Sequence, residues 1–244
     1  MNRTQGATLI TKDLVSGYGR VETLHGVDIE VPSGGITAVI GPNGSGKSTL
    51  LKSITGLLKP WSGQVLLDGE DIAGRPAHEL VEVGMCTVPQ GRVVFPLLTV
   101  QENLEMNAFT LGDRAAVSDR VAAAYEFLPV LGERRKQIAS SLSGGEQVLL
   151  SIAKVIMQNP KILLLDEPSL GLSPKMMDFV YEKLRELTSS GLTTFLVEQN
   201  VRKALEIADH MIVLVLGERR FMGTPRQVEQ AVDLGTLFLE GKII

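Results

Sequence analysis

The sequence predicts an α/β domain built on a mixed sheet, and three observations predict it. Ile36–Ile40 is a short apolar run that leads straight into the glycine-rich stretch Gly41–Thr49 (GPNGSGKST) and a helical pattern over Lys47–Thr55. Ile162–Leu165 is a second such run, too short for a helix, and it ends in two adjacent carboxylates, Asp166 and Glu167. Between them, Thr99–Met157 is mostly helical in pattern. Short continuous apolar runs suit central parallel strands, which are buried on both faces.

From the N-terminus, Thr8–Val31 is β-rich with turn residues and reads as an antiparallel layer leading into the glycine-rich stretch. Gln64–Leu67 followed by Asp68-Gly69 reads as strand and turn. Cys86, the single cysteine, falls on a predicted buried strand and reads as a small core residue. Val117, Val121, Ala124, Tyr125 and Leu128 recur at helical spacing, as core positions do. Asn159-Pro160 returns the chain to the sheet, a helix follows over Pro174–Thr188, and two more strands follow Gly191, with Thr193–Val197 and Met211–Leu216 as the apolar runs. A short terminal helix is predicted around Arg226–Leu239.

The 244 residues suffice for one large domain or a domain with a sub-lobe, and the 44% hydrophobic content for a substantial core. A net charge of −4 argues against nucleic acid as a main partner, which would want a basic stripe. One cysteine excludes a disulfide framework and fits a reducing cytosol. Met1–Gly6 is polar, without the apolar segment of a secretory signal, and no apolar run approaches the ~20 residues of a membrane span.

The chemistry begins at Gly41–Ser48, spaced G-x-x-x-x-G-K-S. Triphosphate oxygens are best held by backbone N–H groups of a chain that can wrap closely, hence Gly41, Gly44 and Gly46. Pro42, Asn43, Ser45 and Thr49 complete the loop, Lys47 supplies charge to the β- and γ-phosphates, and the Ser48 hydroxyl suits Mg²⁺. At the end of a parallel strand, Asp166 and Glu167 are expected to point to opposite sides of the strand and take different roles, Asp166 holding Mg²⁺ and Glu167 polarising the attacking water. The plainer alternative is an acidic pair capping the helix that soon follows. Ser143-Gly144-Gly145 opens a helix and makes a second anion site, and Glu146 is placed to complete a capping box with Ser143.

Leu142–Gln147 (LSGGEQ) resembles the signature of ATP-binding cassette (ABC) ATPases, and the resemblance covers essentially the whole chain. It implies a P-loop cassette with a RecA-like sheet core, an antiparallel β layer and a helical sub-lobe: one domain over 1–244, with its core at 1–90 and 159–244 and the helical subdomain at about 91–158. It implies ATP and Mg²⁺, and two cassettes paired head to tail, each ATP between one phosphate loop and the other's signature. Tyr18 matches the aromatic residue that stacks on adenine, with a core or hairpin tyrosine as the alternative. Gln90 matches the glutamine reaching Mg²⁺ and the attacking water. Ser169–Ser173 matches the loop contacting the opposite cassette, departing at Ser173 where many members have Asp. Gln199 stands where most members place a γ-phosphate-sensing histidine, and none of His25, His78 or His210 falls there.

Val88–Gly91 with Arg92, Phe95-Pro96 and Leu98–Leu104, together with Asp166–Pro174 and Leu196–Asn200, is similar to the smaller ATPase of branched-chain amino-acid importers; urea and short-chain amide importers are close relatives. That similarity implies a second, different cassette as partner (a homodimer when isolated), two transmembrane permeases, a periplasmic or extracellular solute-binding protein, and a place on the cytoplasmic face of the membrane. Gly91–Leu104, with Val93, Val94, Phe95, Leu97 and Leu98, is expected to form part of the permease groove or else ordinary core. The competing readings are a soluble ABC ATPase, disfavoured by the absence of a second cassette or a coiled-coil insertion, and a non-hydrolysing regulator, disfavoured by Glu167 and Gln90.

Overall fold

The computed structural model describes residues 5–91, 93–107 and 114–231; the outer part of the predicted terminal helix and Arg92 lie outside them. The chain begins with an antiparallel sheet of β1 (Leu9–Tyr18), β2 (Val21–Val31), β4 (Ser62–Leu67) and β5 (Glu70–Asp71), ordered β2-β1-β4-β5. The second sheet has the order β10-β9-β3-β8-β7-β6. Its strands are β3 (Ile36–Ile40), β6 (Met85–Val88), β7 (Ile162–Asp166), β8 (Thr193–Val197), β9 (His210–Val215) and β10 (Glu218–Gly223). All pairings within it are parallel except β9 with β10, so the sheet is mixed as predicted.

The central strands are buried throughout and carry no charge before Asp166 because both faces are covered. Leu163 and Leu165 of β7 join a cluster with the helices, whereas Ile162 and Leu164 join one that includes the antiparallel layer. β3 divides the same way, with Ala38 and Ile40 facing a third cluster under β9. Each fully buried aliphatic side chain of this kind contributes ~2 kcal/mol by leaving water.

The helices are α1 (Lys47–Ile54), α2 (Ala77–Glu82), α3 (Val100–Asn107), α4 (Arg114–Phe127), α5 (Pro129–Glu133), α6 (Gly144–Ile156), α7 (Pro174–Ser189), α8 (Val201–Ile207) and α9 (Pro225–Ala231). Val121, Ala124 and Leu128 are buried, with Val117 and Tyr125 packed against them, as the helical spacing requires. Three strands, not two, follow Gly191: β10 closes the sheet edge antiparallel to β9, and its half-exposed residues lack the apolar run that marks a buried strand. Among the described residues no helix is long and apolar enough to cross a membrane.

Candidate active site

β3 delivers the chain into the glycine-rich loop, and α1 starts where the loop ends. Gly46 caps α1 with a left-handed φ of 102°, offers no side chain to the first-turn N–H groups, and no acidic residue lies in that turn. Those donors are left for an anion. Gly41 is pressed against β9: a Cβ there would lie 2.1 Å from the Leu214 carbonyl oxygen. The Gly217 N–H, in the β9–β10 turn, donates to the Ser45 carbonyl at 2.9 Å and ties the loop to that turn. Lys47 is buried, and its Nζ donates to the carbonyls of Gly41 (2.8 Å) and Pro42 (3.0 Å). Burial lowers its pKa, opposed by Glu167 and Asp166.

Asp166 ends β7 and is buried, and its Oδ1 has no hydrogen-bond partner. Burial first, then the Glu167 carboxylate, push it up to about 6. Glu167 corrects the strand-based expectation. It lies beyond the strand in the left-handed region, φ 49°, so simple alternation does not describe the pair. That backbone costs ~1–3 kcal/mol and persists only where its surroundings enforce it. Here the Glu167 N–H donates to Val197 O at 2.9 Å, and both carboxylate oxygens are held: Oε2 accepts from Gln90 Nε2 at 2.8 Å and Oε1 from Gln199 Nε2 at 2.7 Å.

The three side chains singled out for catalysis therefore meet at one carboxylate. They line a cavity of about 280 Å³ together with Asn43, Gly44, Gly46, Lys47, Ser48, Thr49 and Thr23. Thr23, on β2, carried no motif signal. Tyr18 ends β1 at the β1–β2 hairpin, paired with Val21 and 46% exposed, with Lys52 Nζ 5.7 Å from its ring centroid; it is a hairpin tyrosine and not a core one. Ser143 caps α6, its hydroxyl accepting from the Glu146 N–H at 3.4 Å while Glu146 Oε2 accepts from the Ser143 N–H at 2.8 Å, the predicted capping box. Gly145 packs against α7, where a Cβ would fall 2.0 Å from Met176 Cγ. Ser143, Gly144 and Gly145 do not line the cavity that holds Lys47; Gly144 lines an adjoining cavity with Asp166 and Glu167.

Residues 24–170 match the family described as ABC transporter. The chain belongs to that family. The cassette is 43% identical over 221 residues to a probable branched-chain amino acid transport ATP-binding protein LivF of Archaeoglobus fulgidus, covering 90% of this chain and 93% of that one. It is 42% identical over 210 residues to the high-affinity branched-chain amino acid transport ATP-binding protein BraG of Pseudomonas aeruginosa, covering 86% and 90%. The crystal structure of an ABC-transporter cassette in its ADP conformation superposes with a TM-score of 0.85 at 30% identity, covering 92% of this chain and 94% of that one. The cassette is thus an ATPase subunit of the transporter type.

The Gly91–Leu104 stretch divides. Val93, Phe95 and Leu97 are exposed at 43, 44 and 85%, whereas Val94 packs into the core. The loop between them is clamped. Asn103 accepts from the Phe95 N–H at 2.7 Å and donates to Phe95 O at 3.0 Å, and Lys154 of α6 donates to Val93 O at 3.0 Å with its Nζ 4.6 Å from the centre of the Phe95 ring.

Proposed function

We propose that this cassette is the ATP-hydrolysing motor of a membrane importer for branched-chain amino acids, working at the cytoplasmic face of the membrane. The observation that carries the catalytic part is the Glu167 carboxylate, held on both oxygens by Gln90 and Gln199 at the wall of the cavity that Lys47 and Ser48 also line. A carboxylate so fixed can accept a proton from a water attacking the γ-phosphate. Tyr18 stacks on the adenine, and Gly41–Thr49 cradle the phosphates. Ser48, Gln90 and Asp166 are the metal ligands. The buried, unpartnered Asp166 Oδ1 fits that role. When bound, Mg²⁺ neutralises charge on the β- and γ-phosphates. The helical segment of about 91–158 acts as a subdomain on a core of 1–90 and 159–244, within one domain of 1–244.

The substrate reading is supported by the relatives' names, at 43 and 42% identity over most of the chain. The partners are a second, different cassette whose Ser143-like signature completes the ATP site, two permeases received at Val93, Phe95 and Leu97, and, through them, a solute-binding protein. A urea, short-chain amide or other amino-acid importer is the alternative. Purification from native membranes in mild detergent tests the reading. Two permeases and a second cassette should co-purify, and the captured binding protein's ligand names the solute. Recovery of this chain alone, or with ribosomes or DNA, contradicts it.

A further inference from the structure

A buried chain of hydrogen bonds runs behind the active site. Glu198 is 1% exposed, and among the described residues it has no cationic partner within salt-bridge distance. A buried carboxylate is costly unless its oxygens are satisfied. Here Oε2 accepts from the backbone N–H groups of Gln199 (3.1 Å) and Asn200 (3.2 Å), and Oε1 accepts from the Tyr181 hydroxyl of α7. Tyr181 is 2% exposed. Burial and the Glu198 carboxylate keep its hydroxyl protonated, well above the ordinary tyrosine range. The chain of bonds ends at the active site, where Gln199 Nε2 donates to Glu167.

An apolar side chain would fill the Glu198 position at lower desolvation cost. What the carboxylate adds is geometry. It fixes two consecutive N–H groups at the end of β8 and thereby aims the Gln199 side chain, which is itself exposed. We infer that Glu198 and Tyr181 are positioning residues that hold Gln199 against Glu167, joining α7 to the second glutamine on that carboxylate. This rests on the hydrolytic role proposed for Glu167.

The test is steady-state ATP turnover by the full chain, with kcat and KM read separately for Glu198→Gln, Tyr181→Phe and their combinations. Loss of a supporting hydrogen bond should lower kcat by roughly tenfold while KM for ATP stays put, because the phosphate loop and Tyr18 are untouched. Glu198→Gln combined with Gln199→Ala should be no slower than Gln199→Ala alone, and Tyr181→Phe should add nothing to Glu198→Gln. Independent, multiplying losses, or an unchanged kcat in folded Tyr181→Phe protein, overturn the inference. Tyr181→Phe removes one oxygen and keeps the test open if Glu198→Gln does not fold. Wild-type turnover in Glu167→Gln would instead overturn the hydrolytic assignment itself, and the inference with it.

Discussion

The cassette has two glycine-rich helix starts proposed to meet phosphate, and they are built oppositely. At α1 the cap is Gly46, no side chain takes the first-turn donors, and a buried lysine stands beside them. At α6 the cap is Ser143, and its own capping box already uses two of the local donors, with Glu146 also bound by Arg134 Nε at 2.7 Å. The first leaves its first-turn donors open to an anion. The second stabilises itself by its own capping and stands outside the cavity that Lys47 lines, with Gly144 on an adjoining one. In the proposed dimer another chain would bring the phosphate to it.

Substitutions can break this contrast. Lys47→Met removes the cation nearest the β- and γ-phosphates and should weaken ATP binding by on the order of 10²-fold or more, as a nucleotide titration would read directly. Ser143→Arg should leave ATP binding by the isolated chain intact while turnover falls by a comparable factor, because in the proposed dimer Ser143 serves the partner's nucleotide. Equal losses of binding in both variants would erase the distinction.

A smaller effect concerns Asp166. Its pKa of about 6 exceeds the ordinary 3.8, so between those values the native state holds a proton that the unfolded chain has released. Stability of the metal-free protein therefore falls as pH rises from about 4 to about 6. Asp166→Asn should stabilise it above pH 6 by on the order of 2 kcal/mol and by much less at pH 4, as melting curves across that range would show. The phosphate side of the site thus costs the fold stability, whereas the α6 capping box adds to it.

The smallest change is Gln199→His. Glutamine cannot become cationic, so wild-type turnover should lack a titration from this position, and the variant should gain one near the ordinary histidine pKa of about 6.5. A pH–rate profile without that new inflection would detach residue 199 from the γ-phosphate.

Much of this was legible in the chain because burial and local chemistry write themselves there. β3 and β8 were read to the residue, since strands buried on both faces are short uncharged runs rich in apolar and β-branched residues. The α6 capping box was visible as Ser143 and Glu146 three residues apart. β10 was missed because an edge strand with the sequence Glu218-Arg219-Arg220 has no apolar run, and α2 because its six residues bury only Leu80. The left-handed turn of Glu167 escaped notice because nothing in Asp166-Glu167-Pro168 requires it. Its cause lies in the bond from Glu167 N–H to Val197, a residue on a neighbouring strand. The Tyr181–Glu198 bond likewise joins α7 to the end of β8, a pairing no local pattern encodes.

The claim that the ATP site is shared between chains has a direct test. Lys47→Met and Ser143→Arg proteins, each inactive alone, are mixed in equal amounts and ATP turnover is measured. If sites form between chains, half the dimers are mixed and each has one intact site, so activity should return to about a quarter of wild type. A mixture no more active than the mean of the two variants would contradict the account.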